Sequence, residues 1–302
     1  MASREAATRT GKGYGERAPT FAAPTSEAAV VEALSENPGA RLLAGGGVMV
    51  PMLRRAGNPE MPALISLRQV ASLRRLDRMS DGRIRIGAMV SHAEVARADL
   101  TGGAALVGAA AREIAHPIIR NMATIGGTVA LADPAADYAS ALLAAGAEVE
   151  CLGPNGVRRL ALEQFHTKNG RIRLGPDELI LSIILPAPSG AVSGYARFSR
   201  VDGDYPAVTV GVRLLPGSKG KADVRLAIGG FGPAAFRVPD AERVLSEKGK
   251  GALAEAGAMA AAAADPPSDL KGSAAFRRRL IPVLMARALE KALAAGREGA
   301  GA

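Results

Sequence analysis

"MATIGGTVALADPAAD" runs from Met122 to Asp137. It sets two adjacent glycines ahead of two acidic residues four apart, one of them directly before a proline. A plain core strand or helix needs no such combination. Glycine admits left-handed backbone and lets the main chain approach a ligand closely. Successive N–H groups in such a turn make a concavity for anions. Read as a loop, the stretch offers the Thr124 hydroxyl, two backbone donors at Gly126 and Gly127, and carboxylates at Asp133 and Asp137 suited to sugar hydroxyls. A structural reading stands beside this one. Asp133 before Pro134 suits a helix N-cap, and Asp137 a first-turn carboxylate. The two carboxylates also suit general acid/base work, but no nucleophile or activating base accompanies them, so no catalytic residue is assigned.

A second glycine stretch lies far upstream. "LLAGGGVMVP", Leu42–Pro51, follows a short apolar strand and precedes a helix. The dinucleotide fingerprint GxGxxG fits Gly45 and Gly47 but meets Val50 at its last position, and the Walker pattern is absent. Alone, this stretch reads more readily as an ordinary tight turn. Together, two glycine turns at two strand ends suggest a pyrophosphate clamped from both sides, hence a dinucleotide held without a Rossmann fold.

The surroundings predict an α+β chain. Residues 25–37 form a helix capped by Thr25 or Ser26 and stopped by Pro38 and Gly39. Buried strands follow at "ARLLAG" and "PALISL", and an alternating strand at "GRIRIGAMV". "SHAEVARA" carries a capping box. "AALVGAAAREIA" and "ADYASALLAAG" are helical, the latter ending at Gly146, and "AEVECLG" and "DELILSIILP" are strands. "PAPSGAVSG", residues 186–194, is the best linker. Three strands come next ("GYARFSRV", "AVTVGVRLLP", "ADVRLAIGGFG"), then helices. Pro282 should kink or break the last helix unless it opens a new one.

Composition narrows the function. Of 302 residues 48% are hydrophobic, enough for a sizeable core. No apolar run reaches the roughly 18 residues of a membrane span. The first 19 residues are polar and basic with no apolar centre, which reads as a flexible lead rather than a secretory signal. The single cysteine, Cys151, excludes an internal disulfide, a cysteine-held iron–sulfur cluster and a zinc knuckle, and fits a reducing cytoplasm. His92, His116 and His166 stand at no metal-ligand spacing, so no metal site is assigned. The net charge of +9 invites a nucleic-acid reading, but the chain has no Trp, four Tyr and six Phe, too few for stacking platforms. The arginines are scattered, apart from a cluster at Arg277, Arg278 and Arg279, and read as a solvated surface able to steer an acidic partner or an anionic cofactor.

Over about residues 20–290 the chain resembles the FAD-binding (medium) subunit of the molybdenum hydroxylases, as in carbon monoxide dehydrogenase and xanthine-dehydrogenase-type enzymes. "AGGGVMVPMLRR" looks like that family's first FAD loop and "HPIIRNMATIGGTVALADPAADYASALLAAGAEV" like its second. "IGAMVSHAEV", "PDELILSIILP" and "GYARFSRVDGDY" sit where the family has similar segments. The resemblance implies a two-subdomain FAD-binding fold of the PCMH type over residues 20–186, and a small α+β C-terminal domain over 187–302. It implies that Ala44, Gly45, Gly46, Gly47 and Val48, with Thr124, Ile125, Gly126, Gly127 and Thr128, wrap the FAD pyrophosphate. Asp133 and Asp137 would serve the ribose or ribityl side, Ile125 would lie near the flavin ring, and Arg197 and Tyr205 close to the isoalloxazine. The first loop departs from the family where Gly47 and Val48 replace polar side chains, which removes one or two hydrogen bonds worth about 0.5–1.5 kcal/mol each. At residue 197 the family often has lysine; arginine keeps the charge but changes the geometry. The implied partners are a large molybdopterin-binding subunit and a small [2Fe–2S] subunit, and the implied role is to pass electrons from the clusters through FAD to an external acceptor. Two other readings remain: a flavin-poor assembly subunit, motivated by Val48, and a stand-alone flavin oxidase, for which the C-terminal region is small.

Overall fold

The computed structural model describes residues 21–56, 62–217 and 221–300; the expected N-terminal lead over residues 1–19 lies outside them. Three sheets organise the chain. The first is small and parallel: Leu64–Ser66 lies between Phe21–Ala22 and Arg41–Leu43. Helix Glu27–Glu36 covers it, with Ser26 taking the cap by accepting the Ala29 N–H at 3.2 Å. Val30, Leu34, Ile65 and Leu67 form its core with Met89 and Leu179, residues that belong to the next layer.

The second sheet is antiparallel and five-stranded. Its order is Leu76–Arg78, Ile84–Gly87, Leu179–Leu185, Glu148–Gly153, Gly156–Ala161. Strand Leu179–Leu185 is apolar apart from Ser182, because both of its faces are covered; the buried Ser182 hydroxyl donates to Glu150 at 2.9 Å. Helices Ala105–Glu113 and Asp137–Ala145 pack over this sheet through Leu106, Val107, Ala110, Ala141, Leu142 and Ala145. Cys151 is fully buried in this core, and burial pushes its thiol up to about 11, so it is an inert packing group.

The third sheet is also antiparallel. Strands Val192–Phe198, Val208–Pro216, Ala222–Gly229 and Phe236–Arg237 follow one another as a meander. One face receives helices Pro239–Lys248, Leu253–Ala263 and Ala274–Ala300. The other receives helix Asp137–Ala145. There the Ser140 hydroxyl donates to Thr209 Oγ1 at 2.7 Å, and Tyr195 and Ala227 join the central core. The C-terminal sheet is thus seated on the helix that begins at Asp137.

Four expectations need correction. The segment from Ile125 to Leu131 is a helix rather than a loop, because Thr124 caps it by accepting the Gly127 N–H at 3.2 Å. The linker is shorter than 186–194: Val192 to Gly194 already pair with the strand at Leu214–Val212. Pro282 lies inside a continuous helix, Ala274–Ala300, and faces Gly257 of the neighbouring helix, where a Cβ would stand 2.8 Å from the proline ring. Arg277 is buried rather than solvated; it donates to Asp269 at 2.6 Å and to the Gly230 carbonyl at 3.4 Å.

Candidate functional site

The two glycine stretches, distant in sequence, interlock. Strand Arg41–Leu43 ends and the chain turns through Gly46, the residue of this loop with a left-handed φ of +76°, into helix Met49–Ala56. A Cβ on Gly45 would overlap the Met122 carbonyl oxygen and stand 2.8 Å from the Ala123 Cα. A Cβ on Gly47 would touch Ala123 Cβ at 3.4 Å, and one on Gly127 would lie 3.8 Å from Ala44 Cβ. Glycine is therefore required at 45 because one backbone presses directly on another.

Their hydrogen-bonding states differ. In the first stretch the helix bonds begin only at Val50 N–H to Gly46 O and Met52 N–H to Val48 O. Among the described residues the N–H groups of Gly46, Gly47 and Val48 donate to no acceptor of the chain. They stand at the start of an eight-residue helix, half-buried or exposed, an arrangement that accepts an anion. In the second stretch the donors are already spent. Gly126 N–H donates to Ala88 O at 3.0 Å, Gly127 N–H to Thr124 Oγ1, and Ile125 N–H to Val90 O at 3.0 Å. The expectation of two free donors at Gly126 and Gly127 is corrected accordingly. Gly126 serves packing instead: a Cβ there would stand 2.5 Å from Ala88 Cβ and 2.7 Å from Ala88 O. Ile125 turns its side chain fully into the central core. Thr124 is 5% exposed with its hydroxyl oxygen engaged as the helix cap, and Thr128 is half-buried.

Thr128 has one partner, and it lies underneath. Its Oγ1 is 3.3 Å from His92 Nε2. His92 is 2% exposed at the first position of helix His92–Arg97, inside the Ser91–Glu94 capping box. Its backbone N–H donates to Ala123 O at 3.1 Å, and its ring stands edge-on to Tyr138 with centroids 5.2 Å apart. Burial lowers its pKa to about 4, so the ring is neutral at physiological pH.

The acidic pair separates in role. Asp133 accepts the Ala135 N–H at 2.9 Å and closes a turn rather than capping a helix. Asp137 is the first residue of its helix and is 5% exposed. It accepts the Tyr195 hydroxyl at 2.7 Å and faces Arg197 Nε at 3.3 Å. Burial raises its pKa to about 6, against the pull of Arg197 and Tyr195. Arg197 also donates to the carbonyls of Glu113 and Asp204, tying the end of helix Ala105–Glu113 to the loop after strand Val192–Phe198. In that loop Tyr205 is 45% exposed. Burial and the nearby charges of Asp133 and Asp137 raise its pKa, and Lys271 Nζ sits 4.8 Å over its ring. Asp133, Asp137, Arg197 and Tyr205 therefore share one end of the site, and the glycine stretches the other. Val48 is 39% exposed beside the free donors. His92, Tyr195, Lys271 and the Glu113 carbonyl are partners that no spacing in the sequence reveals.

The cradle fits a dinucleotide: three free N–H donors and a loop closed to side chains suit a phosphate, and a carboxylate with a phenol and a guanidinium suits a polar chain and ring system. Among the described residues no group of histidine, cysteine or carboxylate side chains could hold a metal ion.

Comparison with known proteins agrees with this geometry. Residues 16–188 match the family described as "FAD binding domain in molybdopterin dehydrogenase", and residues 193–292 the "CO dehydrogenase flavoprotein C-terminal domain". The nicotine 6-hydroxylase medium subunit of Paenarthrobacter nicotinovorans is 34% identical over 280 residues, spanning 90% of this chain and 96% of that protein. The carbon monoxide dehydrogenase medium chain of Afipia carboxidovorans is 31% identical, over 84% of this chain and 89% of its own length. In a solved carbon monoxide dehydrogenase from Hydrogenophaga pseudoflava, a chain of 29% identity superposes with a TM-score of 0.85, covering 92% of this chain and 98% of that one. Fold, glycine cradle and relatives converge: the chain belongs to the family of FAD-binding subunits of molybdenum hydroxylase complexes, and it is an oxidoreductase subunit that carries FAD.

Proposed function

We propose that this chain holds one FAD non-covalently and links a small [2Fe–2S] subunit to an external electron acceptor, in a complex whose large molybdopterin-binding subunit oxidises the substrate. When bound, FAD supplies a centre that exchanges electrons singly or in pairs. The observation that carries the reading is the interlocked cradle, in which Gly45 lies on the Met122 carbonyl and the N–H groups of Gly46 to Val48 meet no acceptor among the described residues. Ala44 to Val48 bind the pyrophosphate mainly through the backbone, with Gly126 and Gly127 supplying close packing. Thr124 and Thr128 add hydroxyls, and Ile125 supports the second stretch from the core. Asp133 and Asp137 serve the sugar side. Arg197 and Tyr205 orient the ring end, and Arg197 does so while joining helix Ala105–Glu113 to the Tyr205 loop.

The domain boundary falls near residue 186, and the cofactor lies where the first two sheets meet the C-terminal sheet. Among the described residues no helix is long and apolar enough to cross a membrane; we place the complex in the cytoplasm. The test is co-expression with a molybdopterin-type and an eight-cysteine partner. The complex should contain molybdenum, iron and FAD, and acid precipitation should release all of the yellow colour into the supernatant. Substrate oxidation by this chain alone, free of metal, would overturn the assignment.

A further inference from the structure

We infer that His92 is a positioning residue which turns the Thr128 hydroxyl into a hydrogen-bond donor aimed out of the protein, toward the phosphate-bearing part of the cofactor. The inference rests on the cofactor reading above, because Thr128 touches ligand only if that reading holds. The argument starts from proton counting. A neutral imidazole carries one N–H and one bare nitrogen. Nε2 of His92 faces Thr128 Oγ1 at 3.3 Å, and Nδ1 is buried without a partner among the described residues. If the proton sat on Nδ1, a buried N–H would have no acceptor. Unpaired buried N–H groups are rarer than under-used acceptors, because an acceptor has spare lone pairs and a donor has a single hydrogen. The network therefore assigns the proton to Nε2.

That assignment fixes the direction of the hydroxyl. His92 donates and Thr128 Oγ1 accepts, so the hydroxyl hydrogen has to point elsewhere. Among the described residues no protein acceptor receives it, and Thr128 is half-buried rather than enclosed. It sits in the first two turns of helix Ile125–Leu131, the element that Gly127 brings against Ala44. The imidazole has no room to swing. Its backbone N–H is bonded to Ala123, Tyr138 stands edge-on to the ring, and the residue is 2% exposed. A histidine in this position thus enforces the polarity of a hydroxyl that would otherwise be free to accept or donate. This supplies the second stretch with an outward donor, although both of its glycine N–H groups are spent.

The test is a double-mutant cycle on the full chain, reading the FAD dissociation constant by quenching of flavin fluorescence, with circular dichroism as a check on folding. His92→Leu and Thr128→Val should each weaken FAD binding by about tenfold, the range for a lost hydrogen bond to a charged group. The double variant should bind no more weakly than Thr128→Val. His92→Gln, whose side-chain amide can donate, should recover part of the loss. If His92→Leu weakens binding by the same factor in the Thr128→Val background, histidine acts only through packing and the inference falls. It falls equally if His92→Leu folds and binds like the native chain, or if His92→Gln folds and binds no better than His92→Leu. Failure of the native chain to bind FAD would sink the cofactor reading itself, a separate result.

Discussion

The first and second glycine stretches look alike in sequence and are built on opposite principles. In Ala44–Val48 the glycines leave the backbone bare: the N–H groups of Gly46, Gly47 and Val48 have no acceptor among the described residues, and the side chain beside them, Val48, is exposed. In Thr124–Thr128 the glycines draw the backbone into the protein: Gly126 lies on Ala88, and its N–H and that of Gly127 are both bonded. One region leaves main-chain donors open. The other spends its main-chain donors inside the protein and carries a half-buried Thr128 hydroxyl backed by His92. Glycine pairs therefore do not by themselves mark phosphate contacts; the same residue serves open donors in one place and close packing in the other.

The largest effect that would break this contrast is at Gly126. A methyl group there would meet Ala88 Cβ at 2.5 Å and its carbonyl oxygen at 2.7 Å, the side chain and main chain of a residue held in the central core. Gly126→Ala should cost about 3 kcal/mol, the upper range for overpacking, and lower the thermal midpoint by several degrees. A midpoint unchanged from the native chain would show that the helix is free to move away and that Gly126 is not a packing glycine.

Acid sensitivity sharpens the comparison next. His92 titrates near 4 in the folded chain and near 6.5 when unfolded, because burial disfavours its charged form. The unfolded state thus takes up the proton first as pH falls. The stability involved is fully present above pH 6.5 and is lost as pH drops toward 4, by about 3 kcal/mol at the end of that window. Asp137 acts in the opposite sense. Its folded value of about 6 lies above the ordinary 3.8 through burial, so it favours the folded state most at low pH and loses that contribution as pH rises from 3.8 to 6. The two slopes oppose each other. In urea titrations between pH 4 and 7, His92→Gln should make stability fall with rising pH through this window, leaving the slope of Asp137 exposed. A His92→Gln profile parallel to that of the native chain would show that His92 does not titrate in this range.

Much of this was legible from local rules. The capping box at Ser91 and Glu94, the helix stop at Gly146 with φ +77°, and the strand–turn–helix around Gly46 all follow from side chains within a few positions of one another. The long second segment carries the family resemblance, and the relatives support it. Three features were not legible. The helical state of Ile125–Leu131 depends on Thr124 choosing to cap, where a loop reading was equally open. The use of the Gly126 N–H depends on Ala88, from which three α-helices separate it in sequence. The pairing of Asp137 with Tyr195 and Arg197 depends on the C-terminal sheet docking on the Asp137 helix. Sequence spacing describes neighbours along the chain, and each of these is a contact between distant segments.

A smaller effect belongs to the first stretch alone. Val48 sets an apolar side chain beside free N–H donors. Val48→Ser would add a hydroxyl next to these donors while leaving the loop backbone unchanged. One new hydrogen bond of about 1 kcal/mol corresponds to roughly fivefold tighter FAD binding, measurable by fluorescence titration. Binding equal to that of the native chain would mean that residue 48 points away from the cofactor.

The smallest expected effect is one position beyond the largest. Gly127 shares the first turn of the helix with Gly126 but faces the seam between the two stretches. A Cβ there would lie 3.1 Å from Thr124 Oγ1 and 3.8 Å from Ala44 Cβ, the first a hydroxyl able to shift slightly and the second an ordinary contact. Alanine also gains about 1 kcal/mol over glycine within a helix, which offsets the crowding at the cap. Gly127→Ala should therefore leave the urea midpoint within about 0.5 kcal/mol of the native chain, in contrast to Gly126→Ala. Since the fold is preserved, any loss of FAD in this variant reports on the cofactor's own approach to the seam. A loss of stability matching that of Gly126→Ala would erase the distinction between the two glycines and make the whole second stretch a packing element.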